Sequence, residues 1–351
     1  MVPMSGNSVS VIRPFLLSDA PLITQLQTHG THLDLRLALL WPHSSLSAAM
    51  SAYLPFQQRI VRTLVLKEHM NSANAAGYVQ YRERSSFPEA DILFCAPALE
   101  SQSDEHTRRI WQKLISQLVV RVGEHGVQRV YARVLDGALE LDLFWQMGFS
   151  AYARERTYRR SDPPRYSDAL PAPVWRPQRS PDLFAVGQLY SQVTPKLVQQ
   201  AENLPQMNAL APYRDSFGGG IDRRYVWKVK DDVRAALRLI RGHHACWFKL
   251  MMHPHELDHA DELVQDAMRL VPPRTERIFI SVREYQSELE GAFLRAGFSW
   301  LATEMLMVKH TTALVREAML KQIPVIEGIE ARPTASSTRL MKKRYAIRNH
   351  R

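Results

Sequence analysis

The chain has 351 residues, 45% of them hydrophobic and 23% charged, the balance of a globular protein rather than a fibrous or low-complexity one. No apolar run reaches the 18 residues of a membrane helix, the first ten residues carry no apolar leader, and two cysteines, Cys95 and Cys246, cannot build a disulfide framework; the expected setting is the cytoplasm, with no membrane. The net charge of +10 is uneven: seven cations and no acid from Arg332 to Arg351 leave +3 for everything before them. Such a segment reads as a disordered tail, with a weak electrostatic contact to nucleic acid as its functional alternative.

In chain order, residues 10–13 read as a short strand. Asp19 stands near the start of a helix carrying Leu22, Ile23 and Leu26. Residues 62–67 and 76–82 are apolar runs around a polar stretch at 71–74, a hairpin pattern, and 91–96 is a third strand. Residues 107–123 place Ile110, Trp111, Leu114, Ile115, Leu118 and Val122 at helical spacing. A strand at 130–134 follows, then a short helix at 139–147 stopped by Gly148, then a strand at 152–159. After the proline-rich stretch 161–173 the order recurs. There is a strand at 174–176, a helix at 183–190, a hairpin at 225–229 and 235–240 around Lys230-Asp231-Asp232, and a strand at 247–252. A helix at 258–270, a strand at 278–282, a helix at 288–296 and a strand at 301–308 complete it. Gly218, Gly219 and Gly220 mark a loop inside this second set.

Landmarks repeat with the elements. Arg13-Pro14 followed by Asp19 matches Arg176-Pro177 followed by Asp182, and Phe144 to Ser150 matches Phe293 to Ser299 in the pattern Phe, three residues, Gly-Phe-Ser. Glu155 and Glu304 fall at the same distance past the two glycines. The chain is therefore read as a tandem repeat. Its expected parts are a flexible 1–8, a first domain at 9–160, a linker at 161–173, a second domain at 174–312, and a helix with the basic tail at 313–351.

Each copy resembles the GNAT acetyltransferase superfamily, through the Arg-Pro and Asp opening, three antiparallel strands, a long helix, a strand, and a short helix ending in Gly-Phe before a closing strand. The resemblance covers roughly 9–160 and 170–310 and implies a fold class of α/β with mixed sheets, two tandem GNAT-like domains. It implies acetyl-CoA as co-substrate, lying where the central parallel strands splay. Its pantetheine would pair with the backbone of Phe94, Cys95 and Ala96, or with residues 248–252 in the second copy. Its pyrophosphate would sit at the start of the long helix.

The residues depart from that pattern. The phosphate loop normally offers glycines, but residues 100–109 contain none, which leaves Arg108 and Arg109 as side-chain phosphate ligands. Residues 253–262 also lack glycine and place Glu256, Asp258, Asp261 and Glu262 at the helix start, where they favour the helix dipole and repel phosphate. Phe144 and Phe293 stand where the family often has a proton-donating tyrosine. Candidate general bases lie in the first copy: Glu89 and Asp91 at the head of the third strand, and Glu83 before it.

Five histidines between His243 and His259 match no metal-ligand spacing, so no metal is expected. Trp111, Trp145, Trp227, Trp247 and Trp300 read as core residues. Two functions follow. One is an acyl-CoA-dependent N-acetyltransferase acting on a small-molecule or peptide amine, the first copy being the active half. The other is a catalytically inactive binding or scaffold protein on the same folds.

Overall fold

A computed structural model of the chain describes residues 9–42, 44–53, 61–69, 74–84, 88–101, 104–162, 174–202, 221–272 and 275–311. The expected flexible start, the linker at 163–173, the glycine loop at 218–220 and the segment from 312 onward with its basic tail lie outside these residues.

The first half opens with β1 (Val9–Pro14), whose Arg13 reaches the Asp19 carboxylate at 2.6 Å, with Lys67 at 2.7 Å. Asp19 is fully buried and also accepts from the Leu16 amide, so it pins the entry to helix α1 (Ala20–Leu26). The second half repeats this knot. Arg176 of β8 (Arg176–Pro177) meets Asp182 at 2.7 Å, Lys228 joins at 3.3 Å, and the Arg179 amide donates to it, at the start of α6 (Asp182–Val193). The repeated Arg-Pro and Asp landmark is thus a structural clasp.

β2 (Thr31–His32) and the short helices α2 (Leu35–Leu40) and α3 (Ser45–Ser51) precede the meander β3 (Arg62–His69), β4 (Asn74–Glu83) and β5 (Glu89–Ala96). The long helix α4 (Glu105–Glu124) crosses to β6 (Arg129–Leu135), and α5 (Glu140–Gln146) leads to β7 (Ser150–Arg160). In the second half α6 and α7 (Lys196–Glu202) precede β9 (Ile221–Val229), β10 (Asp232–Arg241) and β11 (Ala245–Met252). A 3-10 turn and α8 (Ala260–Met268) lead to β12 (Arg277–Arg283), and α9 (Glu290–Arg295) to β13 (Ser299–His310). Both short helices end alike: Gly148 at φ 78° and Gly297 at φ 84° take the left-handed position, and the next amide returns to Phe144 or Phe293.

The sequence pattern conceals one exchange. Each half is GNAT-like in element order, but neither closing strand joins its own half. The strands run β1-β3-β4-β5-β6-β13-β7-β12-β11-β10-β9-β8, with β2 beside β5. β13 lies against β6 of the first half and β7 against β12 of the second, and the two pair with each other between them. The order is a palindrome, and its pseudo-twofold axis passes through the pair Glu304 and Glu155, which are opposite one another in the ladder. The cores are shared accordingly. Met305 and Met307 of β13 pack with Trp111, Leu114 and Phe144 of the first half, and Tyr158 of β7 packs with Phe293 and Leu263 of the second.

On the opposite face the helices cross over as well. Leu37, Leu40 and Trp41 pack on Ile240, Trp247 and Phe279, while Ala201 of α7 packs on Tyr131 and Val308. A Cβ at Gly242 would lie 2.2 Å from the Leu40 carbonyl oxygen, so only glycine lets that crossing close. The described residues between 9 and 311 accordingly belong to one compact unit. Two tryptophans correct the sequence reading: Trp145 and Trp300 are exposed, whereas Trp111 and Trp247 are buried.

Two predictions follow from this packing. Residues 1–162 and 174–311 expressed separately should fail to give folded monomers, each lacking the strand that closes its core, and co-expression should restore a folded complex. Circular dichroism and size-exclusion chromatography test this, and a cooperatively folding, monomeric 1–162 would refute the exchange. The Asp182 carboxyl is subject to burial, which raises its pKa, but Arg176, the Arg179 amide and Lys228 overcome this and hold it at about 2. A depressed carboxyl stabilises the fold above its unfolded value near 4, and the contribution is lost as pH falls toward 2. Asp182→Asn should remove on the order of 2 kcal/mol at pH 7 and flatten the denaturation curve between about pH 4 and pH 2.

Candidate functional site

Around the axis, two like charges face each other inside a sheet, which would repel without cations between them. Glu155 and Glu304 are 2% and 1% exposed. Arg133 of β6 pairs with Glu155 and reaches Glu304 at 3.5 Å. Arg283 of β12 sits 2.8 Å from Glu155 through Nε and 2.7 Å from Glu202 of α7 through Nη2. Lys249 of β11 completes the group at 3.5 Å from Glu155. Burial alone would raise the Glu155 carboxyl, but Arg133, Arg283 and Lys249 hold it well below the usual range. Burial raises Glu304 and is not fully offset; its Oε1 accepts the Leu35 amide at the head of α2. Burial, and then Arg283, bring the Lys249 amine down to about 8.

A cavity of about 180 Å³ opens over this group, walled by residues of both halves. Asp34 and Arg36 approach from α2, Asp91 from β5, Tyr190 and Glu202 from α6 and α7, and Lys249, Leu250 and Met251 from β11. Tyr190 donates to Glu202 at 2.7 Å, and the Tyr131 hydroxyl lies 2.8 Å from the Ala201 carbonyl and 3.1 Å from Glu89, with its single proton shared between these two acceptors. Sequence reasoning missed this site. The one available signal was Glu155 and Glu304 at matched places in the repeat, and their meeting depends on the strand exchange.

The candidate bases Glu89 and Asp91 come together, but in an ion-pair network. Arg84 grips Asp91 at 2.5 Å and also pairs with Glu89; Arg82 meets Asp91 at 3.1 Å. Burial raises Glu89, whereas Arg84 and Arg82 hold Asp91 down in spite of its burial. Asp91 reaches the cavity and Glu83 lies apart, paired with Arg62 and His125. These bases stand at the opposite end of β5 from Phe94, Cys95 and Ala96, about 13 Å between residues 91 and 95 at the usual strand rise.

The place of Phe94, Cys95 and Ala96 is a correction. β5 and β6 pair in parallel only from Glu89/Arg129 to Asp91/Tyr131 and then part, as the resemblance implied. The opening is filled by the chain itself. Thr31 pairs with Cys95 and His32 with Phe94, antiparallel. The Leu33 amide donates to the Leu93 carbonyl at 2.8 Å, the Leu33 carbonyl accepts from the Arg133 amide at 3.2 Å, and the Ala98 amide donates to the His29 carbonyl at 2.6 Å. Residues 29–33 therefore bridge β5 and β6 along the backbone assigned to pantetheine. Thr31 donates to Glu140 at 2.8 Å, and the His32 ring stands edge-on to Phe94 at 4.9 Å.

Arg108 is corrected too: it is buried and donates to Gln146 at 3.1 Å, turned away from the helix start. Arg109 is exposed. The helix start is capped from within, Asp104 accepting from the Thr107 amide at 3.0 Å. In the second half β11 and β12 part after Lys249/Ser281, and Gln286 covers the Met252 carbonyl at 3.0 Å. There Asp261 is paired with Arg295 at 2.8 Å, and Glu262 with His259 at 3.7 Å.

No family model and no curated protein matches the chain. Among solved structures it is similar to a GCN5-related N-acetyltransferase from Sphaerobacter thermophilus, at 12% identity over 86% of this chain and 96% of that one, with a TM-score of 0.46. It is also similar to a tandem GNAT protein from the clavulanic acid biosynthesis pathway, at 12% identity over 86% and 99%, with a TM-score of 0.47. A GNAT-family acetyltransferase from Colwellia psychrerythraea gives 12% identity over 86% and 99%, with a TM-score of 0.36. The two halves repeat one element order, as the sequence resemblance implied. Among the described residues no group of side chains is placed to hold a metal, and no helix is long and apolar enough to cross a membrane.

The filling of the first opening rests on Gly30. A Cβ there would lie 2.2 Å from Cζ of Phe94 and 2.9 Å from the Ala96 Cβ. Gly30→Ala should cost about 1–3 kcal/mol by overpacking, and amide exchange at Leu33 should quicken more than in the core of α4. Unchanged stability and unchanged protection at Leu33 would show that residues 29–33 are not wedged as described.

Proposed function

We propose that this protein is a binding protein on two degenerate GNAT-like folds, with the cleft on the pseudo-twofold axis as its working site. The observation that carries this reading is the pairing of residues 29–33 with β5 and β6. A cofactor held by backbone pairing needs an unpaired strand edge, and the first half has spent that edge on itself. The self-capped start of α4, the turned-away Arg108 and the acidic start of α8 support the same reading, since none offers the open amides that hold a diphosphate. The axial cleft, by contrast, offers fixed charges and aromatic walls around an open volume.

A second reading is acyl transfer to a small amine in the second half. It is favoured by the parting of β11 and β12 directly beside the cleft, where Lys249 with a pKa of about 8 could take a proton from an acceptor ammonium. Acetyl-CoA would then lie along residues 250–252. Isothermal titration of the full chain with acetyl-CoA distinguishes the two. The binding reading expects a Kd no tighter than about 1 mM, equivalent to about −4 kcal/mol. Micromolar binding lost in Met251→Trp would overturn it in favour of the acyltransferase.

A further inference from the structure

We infer that the axial cleft takes a small, flat molecule bearing a carboxylate, an inference that rests on the cleft being the working site. The charges of the wall decide the class. Three cations, Arg133, Arg283 and Lys249, are arranged around Glu155, with Glu304 and Glu202 as the other acids in reach. Glu304 is the acid least able to hold its charge, because burial raises it and it lies beside Glu155 and Asp34. The cavity's lining holds six arginine and lysine side chains against four aspartates and glutamates, so an anion entering it is balanced.

Donors for such an anion are present. Lys249 is half-buried and its one ion pair among the described residues, to Glu155, is long at 3.5 Å, which leaves its ammonium able to donate to an entering acceptor. Arg283 is 7% exposed; its Nη2 donates to Glu202, and its Nε meets Glu155 as an ion pair without hydrogen-bond geometry. Its Nη1 is buried without a hydrogen-bond partner among the described residues, a cost that an oxygen acceptor entering from the cleft would relieve. The Tyr152 hydroxyl, whose pKa burial pushes up to about 12, remains a protonated donor in the same wall. The rest of the molecule is limited by the volume, about 180 Å³, and by the rings of Tyr152, Tyr285 and Trp247. These suit a planar apolar body of about the size of benzoate better than a sugar or a peptide.

Benzoate and its neutral isostere benzamide test the assignment, titrated into the full chain by calorimetry with ligand-observed NMR as a second readout. Benzoate should bind with a submillimolar Kd and benzamide at least about tenfold more weakly, the difference expected of a charge-assisted contact. Lys249→Met, checked for native circular dichroism, should weaken benzoate about tenfold and leave benzamide unchanged; Arg283→Lys should weaken benzoate while keeping the charge, because the fork that holds Glu155 and Glu202 is lost. Equal binding of the two probes would overturn the carboxylate assignment and leave the cleft as the working site. Failure of both to bind, or benzoate binding indifferent to Lys249, would also overturn it. Tight acetyl-CoA binding, measured separately, bears on the protein's overall function instead.

Discussion

Two glutamates that face one another across a strand pair constrain most of this molecule. Glu155 and Glu304 could not remain buried and opposed without the cations that gather on them, and those cations come from different places: Arg133 from β6, Arg283 from β12, Lys249 from β11. Removing one partner from such a group leaves a buried charge uncompensated, at a cost of about 3–5 kcal/mol. The group therefore works as a register lock. A slip of β7 against β13 by one residue would turn the Glu155 carboxylate to the other face, away from the cations that balance it.

The strand exchange and the cleft are consequences of the same arrangement. Because β13 is inserted between β6 and β7, each half closes on the other, and the charges of both meet at the axis rather than in either half alone. Helix crossing follows from it. α2 packs on Trp247 of β11 while its Leu35 amide meets Glu304, and Ala201 of α7 packs on Tyr131 of β6 while the neighbouring Glu202 meets Arg283. The cleft is what remains between these two crossings, so it is lined by both halves and has no counterpart in a single copy.

Much of the fold was legible in the residues. Periodicity and glycine caps located the long helix, the parallel strands and the two Gly-Phe turns, each within a few residues, because those elements carry their own hydrophobic pattern. Three short helices, α2, α3 and α7, were not foreseen. Each has only six or seven residues and is held by tertiary packing rather than by its own pattern, α2 and α7 against the other half and α3 against α1 and β3 of its own. The exchange of β7 and β13 could not be read either. The two closing strands occupy equivalent places in the repeat, so the local sequence fits either partner, and only the whole sheet distinguishes them. The same holds for the site. Glu89, Asp91, Phe94, Cys95, Ala96, Arg108 and Arg109 were selected by position in a family pattern, whereas what surrounds them was decided by Arg84, by Gln146 and by the pairing of residues 29–33 with β5. His29-Gly30-Thr31-His32 held the one local hint, a glycine between polar residues where a helix had just ended.

An unpaired strand edge inside a protein is useful when a ligand with amide groups completes it, and is a liability when none does. Residues 100–109 offer no glycine to bring a phosphate to the backbone, and the amides and carbonyls of the β5 edge need partners of some kind. A strand from the same chain satisfies them, and Gly30 is the residue that lets that strand lie flat on the Phe94 ring. The second half shows a lesser form of the same adjustment, where Gln286 answers the Met252 carbonyl with a side chain instead of a strand. The cleft at the axis depends on neither adjustment, because its walls are held by the ion pairs gathered on Glu155 and by the crossing helices.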